Sequence, residues 1–100
     1  MENVLPDNTK ELYAIFNRLL EELKKTPYNV KLCIDTHDED LKVELIHYNK
    51  GYEYNNKTVN FYSFQSLEEL RKLENDATEI MRNNKLFIRE FYHEYLWSNR

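Results

Sequence analysis

The fold is decided by residues 28–48, YNVKLCIDTHDEDLKVELIHY. Two runs in this stretch alternate between apolar and polar residues, which is the pattern of β-strands with one buried face. The residues on the apolar side are Val30, Leu32 and Ile34 in the first run and Leu41, Val43 and Leu45 in the second. The acidic residues 35–40 separate the two runs, so the sequence predicts a β-hairpin with an acidic loop.

A third strand is predicted after this hairpin. The tripeptide NKG at residues 49–51 contains the only glycine of the chain and favours a turn. Asn55 and Asn56 tolerate positive φ, which favours a further turn or bulge. We therefore expect the third strand over residues 58–64.

Helices are predicted before and after the strands in the sequence. In NTKELYAIFNRLLEELKK, residues 8–25, Asn8 can cap the first turn with Glu11 three positions on, and Pro27 prevents continuation. SLEELRKLENDATEIM, residues 66–81, begins with a second such pair, Ser66 and Glu69. The apolar residues at helical spacing are Leu12, Ile15, Phe16, Leu19, Leu20 and Leu23 in the first helix and Leu67, Leu70, Leu73, Ala77, Ile80 and Met81 in the second.

A third helix is predicted over LFIREFYHEYLW, residues 86–97. The asparagines of RNNK, residues 82–85, are weak helix formers, so we expect a break there. One continuous helix is the alternative, because Leu73, Ile80 and Phe87 keep a seven-residue period. The predicted fold is α+β, a single domain over residues 1–100 in the order α-β-β-β-α-α, with a three-stranded antiparallel sheet and helices packed on one face.

The composition is that of a small acidic protein with a net charge of −4. The charge is uneven, because residues 35–79 hold eleven acids and five bases, whereas residues 80–100 hold two acids and four bases. The apolar runs are far shorter than the roughly 20 residues that span a bilayer, so we expect no membrane partner. The N-terminus has no basic region followed by an apolar run, so we expect no signal peptide.

Cysteine and glycine usage suggests where the protein works. Cys33 is the only cysteine, so no internal disulfide can form, and a reducing cytoplasm fits best. A single glycine and eight tyrosines resemble the coding bias of an AT-rich bacterial or phage genome. We therefore expect a cytoplasmic protein of a bacterium or of a phage-infected bacterium.

Two possible metal-binding patterns are both incomplete. Residues 35–46 resemble a calcium-binding EF-hand loop only at their start, because Asp40 stands where a glycine is required and Ile46 where a glutamate is required. Glu90 and His93 have the spacing of a helical metal-ligand pair, but no second copy exists. The sequence predicts no metal site and no cofactor.

The sequence also lacks a catalytic signature. Cys33 lies in mid-strand between Leu32 and Ile34, the usual environment of an inert thiol. A chain with one glycine cannot form a glycine-rich phosphate-binding loop. We therefore predict that the protein is not an enzyme.

Acidic and tyrosine side chains around the hairpin form the candidate binding surface. Carboxylates on a rigid scaffold can imitate a phosphate backbone and occupy a basic groove, and tyrosine is favoured at protein interfaces. The predicted partner-binding residues are Asp35, Asp38, Glu39, Asp40, Glu44, Tyr48, Tyr52, Glu53 and Tyr54. A solvated loop kept soluble by its charge is the alternative.

The element order α-β-β-β-α is also that of double-stranded-RNA-binding domains. Those domains place lysines at the start of the last helix, where they contact phosphates. Glu68 and Glu69 occupy that position here. The sequence therefore argues against direct nucleic-acid binding.

Residues 19–54 resemble small phage-encoded anti-CRISPR proteins that inhibit Cas9. The resemblance rests on LLEELKKTPYNVKLCIDTHDEDLKVELI followed by NKGYEY, which place a Y-x-V-K-L strand, a polar loop, a second apolar strand and an Asn/Gly turn after a helix. It implies acidic side chains that occupy the cleft with which Cas9 recognises the protospacer-adjacent motif (PAM). By this resemblance the contacts would be Asp38, Glu39, Asp40 and Glu53.

The favoured function is that of a small protein-binding inhibitor. It would block a basic, nucleic-acid-binding cleft of another protein, and a CRISPR effector is one such target. An antitoxin or immunity protein that neutralises a toxin is one alternative. A dimeric regulatory or nucleic-acid-binding protein that uses the basic aromatic residues 82–100 is the other, and the sequence leaves monomer and homodimer open.

Overall fold

The structure, a computed structural model, describes residues 5–88 apart from the side chain of His37. Its elements are α1 (Thr9–Lys25), β1 (Val30–His37), β2 (Asp40–Tyr48), β3 (Asn56–Tyr62) and α2 (Leu67–Asn83). This order confirms the predicted α+β fold and its first five elements. Residues 84–88 form no helix, and the rest of the predicted third helix, residues 89–97, lies outside the described residues.

The three strands form an antiparallel sheet in the order β1-β2-β3. At its centre, Leu45 of β2 lies opposite Leu32 of β1 and Val59 of β3. Residues 41, 43, 45 and 47 of β2 are buried, and the residues between them are more exposed, as expected for a strand with one covered face. The alternation in the sequence therefore sets which face of the sheet meets the helices.

The core lies between the sheet and the two helices, which cover the same face. Helix α1 contacts β1 and β2, α2 contacts β3, and the helices contact each other. Burial of each large side chain contributes roughly 1.5–3 kcal/mol. The core residues are Leu12, Ile15, Leu19, Leu41, Val43, Leu45, Val59, Phe61, Leu70, Leu73, Ala77, Ile80 and Met81.

The β1–β2 hairpin is tighter than the predicted acidic loop. Strand β1 continues to His37 and β2 begins at Asp40, so only Asp38 and Glu39 form the turn. Asp38 has φ of 59°, a left-handed conformation that aspartate tolerates and that suits a two-residue hairpin turn. The prediction of a six-residue loop was wrong, because backbone pairing continues past the last apolar residue of each strand.

Strand β3 lies two residues earlier than predicted, at residues 56–62 rather than 58–64. A turn held by Gln65 ends the strand: Gln65 N–H donates to the Tyr62 carbonyl at 3.0 Å, and Gln65 Oε1 accepts the Tyr62 N–H at 2.8 Å. Phe64 therefore leaves the sheet, and its ring stacks on that of Tyr62 with centroids 5.0 Å apart.

The helix ends follow the predicted caps in part. Ser66 Oγ accepts the Glu69 N–H at 3.1 Å, as predicted. Asn8 makes no side-chain cap to α1, so that prediction was wrong; its amide instead donates to the Gln65 carbonyl at 2.7 Å and joins α1 to the β3–α2 turn. Asn84 follows α2 with φ of 56°, which confirms the expected break after this helix.

Candidate protein-binding surfaces

A cluster of carboxylates lies at the β1–β2 turn, at one end of the sheet. We call Asp35, Asp38, Glu39 and Asp40 the acidic tip. The first three are exposed and Asp40 is half-buried. Strand pairing continues up to the turn, where His37 lies opposite Asp40, so the backbone beneath these carboxylates is held by the sheet. The structure thus brings four of the nine predicted residues together.

The first turn of α2 adds carboxylates at the same end of the molecule. Ser63 N–H donates to the Leu41 carbonyl at 3.0 Å, and Ser63 Oγ accepts the Leu41 N–H at 3.0 Å. This pair ties the segment that leads into α2 to the residue that follows the acidic tip. Glu68 and Glu69 lie in the first turn of α2, where the helix dipole favours negative charge. The Glu68 side chain is 81% exposed, 3.7 Å from Lys72 Nζ.

Glu44 lies apart from the acidic tip, on the sheet face opposite the helices. Its carboxylate is 3.2 Å from Lys42 Nζ. The hydrogen bond to Glu44 is the main cause that raises the pKa of Lys42 above its ordinary value. Lys42 Nζ also lies 5.6 Å from the centre of the Tyr62 ring. Glu44 therefore belongs to a local ion pair on the sheet and adds little to the charge of the tip.

Three other predicted residues lie at the opposite end of β2. Asp40 and Tyr48 are the first and last residues of this strand, a separation of about 26 Å at the rise of extended chain. Tyr48, Glu53 and Tyr54 are exposed there, Tyr54 to 76%. Tyr48 also lines a shallow recess of about 740 Å³, together with Asn29, Asn49, Lys50 and Asn55. The structure therefore splits the predicted surface in two; we call Tyr48, Glu53 and Tyr54 the tyrosine end.

Tyr52 differs from the other predicted residues because it is buried. Its hydroxyl accepts the Phe87 N–H at 2.7 Å and lies 2.8 Å from His47 Nδ1. His47 Nε2 lies 2.7 Å from Asn84 Oδ1, which can only accept, so Nε2 carries the proton and Nδ1 accepts the tyrosine O–H. Burial raises the pKa of Tyr52 above its ordinary value. Tyr52 thus holds the segment after α2 against the sheet, which takes it out of the candidate contact surface.

The sequence contained part of this network. His47 continues the buried alternation of β2 beyond Leu45, a signal that it faces the core. No local pattern connects it to Asn84, which is 37 positions away. Phe87 packs against the core, so the network and this packing together fix residues 84–87. The basic aromatic segment named as an alternative interface continues from residue 89 outside the described residues.

Comparisons with known proteins add no family or relative. No family model matches the chain, and neither curated proteins nor solved structures provide a match. Across residues 5–88, no group of three or more His, Cys, Asp or Glu side chains could hold a metal ion. No helix in that part of the chain is both long and apolar enough to cross a membrane.

Proposed function

We propose that the protein is a small protein-binding module that inhibits a target by inserting its acidic tip into a basic, nucleic-acid-binding cleft. The observation that supports this proposal is the grouping of exposed carboxylates at one end of the fold. Three of them belong to a hairpin held by backbone pairing, and Glu68 extends the same end. A rigid array of this kind loses little conformational entropy when it binds.

Electrostatics favours such a contact. Charges separated by less than about 8–10 Å act together at physiological salt, so neighbouring carboxylates on a two-residue turn form one negative patch. A basic cleft that binds phosphates attracts such a patch and steers its approach. Glu44 is ion-paired with Lys42 and adds little to the negative charge of the tip.

The resemblance to anti-CRISPR proteins supplies a target class, the PAM-recognition cleft of Cas9. Of the contacts that the resemblance implies, Asp38, Glu39 and Asp40 belong to the acidic tip, whereas Glu53 lies at the tyrosine end. We assign the contact to the tip, because Glu53 follows the far end of β2 and would form a separate site.

Competition for guide-loaded Cas9 tests this assignment. Wild type should displace a PAM-bearing DNA duplex, and its affinity should fall as salt rises. The Asp38→Lys/Glu39→Lys variant should bind about tenfold more weakly or worse, because it reverses the charge of the turn. The control Glu21→Lys/Glu79→Lys makes the same change in net charge at exposed helix positions and should compete like wild type.

Two results would contradict the Cas9 assignment. In the first, the wild-type protein does not displace the duplex from Cas9. In the second, the control variant loses as much affinity for Cas9 as the tip variant does. An antitoxin or immunity protein would present the same tip to a toxin. Affinity capture from host cells separates these two roles, because the protein that binds to the tip is then identified as a CRISPR effector or as a toxin.

A further inference from the structure

The outer edge of β1 is a second surface, separate from the turn of the acidic tip. Within residues 5–88, β1 pairs with β2 alone. The Asn29 carbonyl accepts the Tyr48 N–H at 2.9 Å, which sets the alternation of the ladder: odd-numbered residues of β1 direct their backbone groups to β2. The residues whose N–H and C=O groups point away from β2 are Val30, Leu32, Ile34 and Thr36.

Apolar side chains accompany this edge on the helix-facing side of the sheet. Ile34 is 36% exposed and Leu32 is half-buried, whereas the β2 residues opposite them, Val43 and Leu45 respectively, are fully buried. Tyr13 on the nearby helix α1 is 50% exposed. An eight-residue edge strand with open backbone groups and partly exposed apolar side chains is a template for pairing with another strand.

We propose that the occupant of this edge is β1 of a second copy of the chain, paired antiparallel about a two-fold axis at Cys33. Every outward-pointing residue then meets another: Val30 lies opposite Thr36 of the second copy, and Leu32 lies opposite Ile34. This register forms about eight backbone hydrogen bonds between the copies. It joins two three-stranded sheets into one sheet of six strands and covers the exposed Ile34.

Charge complementarity selects this register. Lys31 and Asp35 lie on the outer face of β1, two positions on either side of Cys33. Around the axis at Cys33, each Lys31 lies opposite Asp35 of the other copy, and opposite charges in such cross-strand pairs are stabilising. A shift by two residues places Cys33 opposite Lys31 or Asp35 instead and leaves backbone groups unpaired at the strand ends.

The Asp35 carboxylate already protects this edge within one copy. It accepts the Thr36 N–H at 2.7 Å, one of the outward-pointing donors. On pairing, that N–H bonds the Val30 carbonyl of the second copy, and the carboxylate turns to Lys31. Asp38 and Glu39 take no part in this contact, whereas Asp35 of the acidic tip pairs with Lys31 of the second copy. The tip variant that reverses Asp38 and Glu39 should therefore still form the dimer.

Cys33 provides a direct readout of the register. It lies opposite Cys33 of the second copy in a pair without backbone hydrogen bonds, where the Cα atoms are about 4.5 Å apart and a disulfide can form. Under reducing conditions the 100-residue chain should sediment at twice its mass of 12.3 kDa. Diamide, which takes up the two electrons and two protons of the thiols, should then link the copies through Cys33, and Cys33→Ser should remain a dimer without the link.

A charge swap tests the pairing with the fold kept intact. Lys31→Asp and Asp35→Lys each place like charges opposite each other and should weaken dimerisation at least tenfold. The double swap Lys31→Asp/Asp35→Lys should restore it, and the exposed Lys50→Asp should leave it unchanged; circular dichroism confirms that each variant folds. A wild-type monomer at all concentrations overturns the proposal, whichever other segment or protein covers the edge. A dimer that tolerates the single reversals or fails to cross-link through Cys33 overturns it as well.

Discussion

Tyr52 and Tyr54 lie two positions apart in the same turn, yet only Tyr54 is available to a partner. Tyr52 is buried and bonded to His47 and to the Phe87 backbone, whereas Tyr54 is 76% exposed. The chain reverses next to Tyr54, at Asn55 with φ of 68°. Residue type therefore indicated an aromatic turn, and the conformation of that turn decides which ring reaches solvent.

Tyr52→Phe should destabilise the protein. The substitution removes the hydroxyl but keeps the ring, so His47 Nδ1 and the Phe87 N–H both lose their partner. Buried polar groups without partners cost about 1–3 kcal/mol, which urea unfolding followed by circular dichroism should detect. The exposed Tyr54→Phe serves as control and should stay within about 0.5 kcal/mol of wild type. Equal effects at the two positions would contradict the structural role of Tyr52.

At the scale of helices and strands, periodicity in the sequence predicted each described element, while tertiary contacts set where the elements end. Ser66 caps α2 as its local pattern indicates, because the cap needs only neighbours in sequence. Asn8 has an equally good local pattern but bonds the distant Gln65 carbonyl instead. The hairpin similarly extends to its two-residue turn because backbone pairing does not require apolar side chains.

An ion pair between the helices gives the fold a dependence on pH. Arg82 Nη2 lies 2.6 Å from Glu22 Oε2, which joins α2 to α1 near their C-terminal ends. The hydrogen bond from Arg82 holds the pKa of Glu22 below its ordinary value of 4.5. Because the folded-state pKa is lower than the unfolded-state value, the stabilisation is present above pH 4.5 and is lost as pH falls through the folded-state pKa.

Glu22→Gln should reveal this linkage. The free energy of unfolding of wild type should exceed that of Glu22→Gln near neutral pH, and the difference should shrink in acid as Glu22 becomes protonated. Urea titrations of both proteins at a series of pH values measure it. A difference that stays constant across the acidic range would show that the carboxylate charge contributes nothing.

At the scale of the whole molecule, distance in space departs from distance in sequence. Residues 35–40 and 48–54 are close in sequence, but β2 holds them at opposite ends of the sheet. Glu68 is distant in sequence, yet Ser63 and Leu41 bring its helix to the end that carries the acidic tip. The sequence could predict an acidic, tyrosine-rich surface around the hairpin. Only the path of β2 shows that this surface divides into the acidic tip and the tyrosine end, and only the position of α2 shows that Glu68 lies near the tip.

Affinity capture from host-cell lysate tests the central claim, that the acidic tip binds a basic cleft. Wild type, Asp38→Lys/Glu39→Lys and Glu21→Lys/Glu79→Lys serve as immobilised baits at low and high salt, and mass spectrometry quantifies the retained proteins. At low salt, we expect the wild-type and control baits to retain a nucleic-acid-binding protein with a basic cleft. The tip variant should not retain this protein, and high salt should release it from the other two baits. Retention of the same proteins by all three baits would contradict the account.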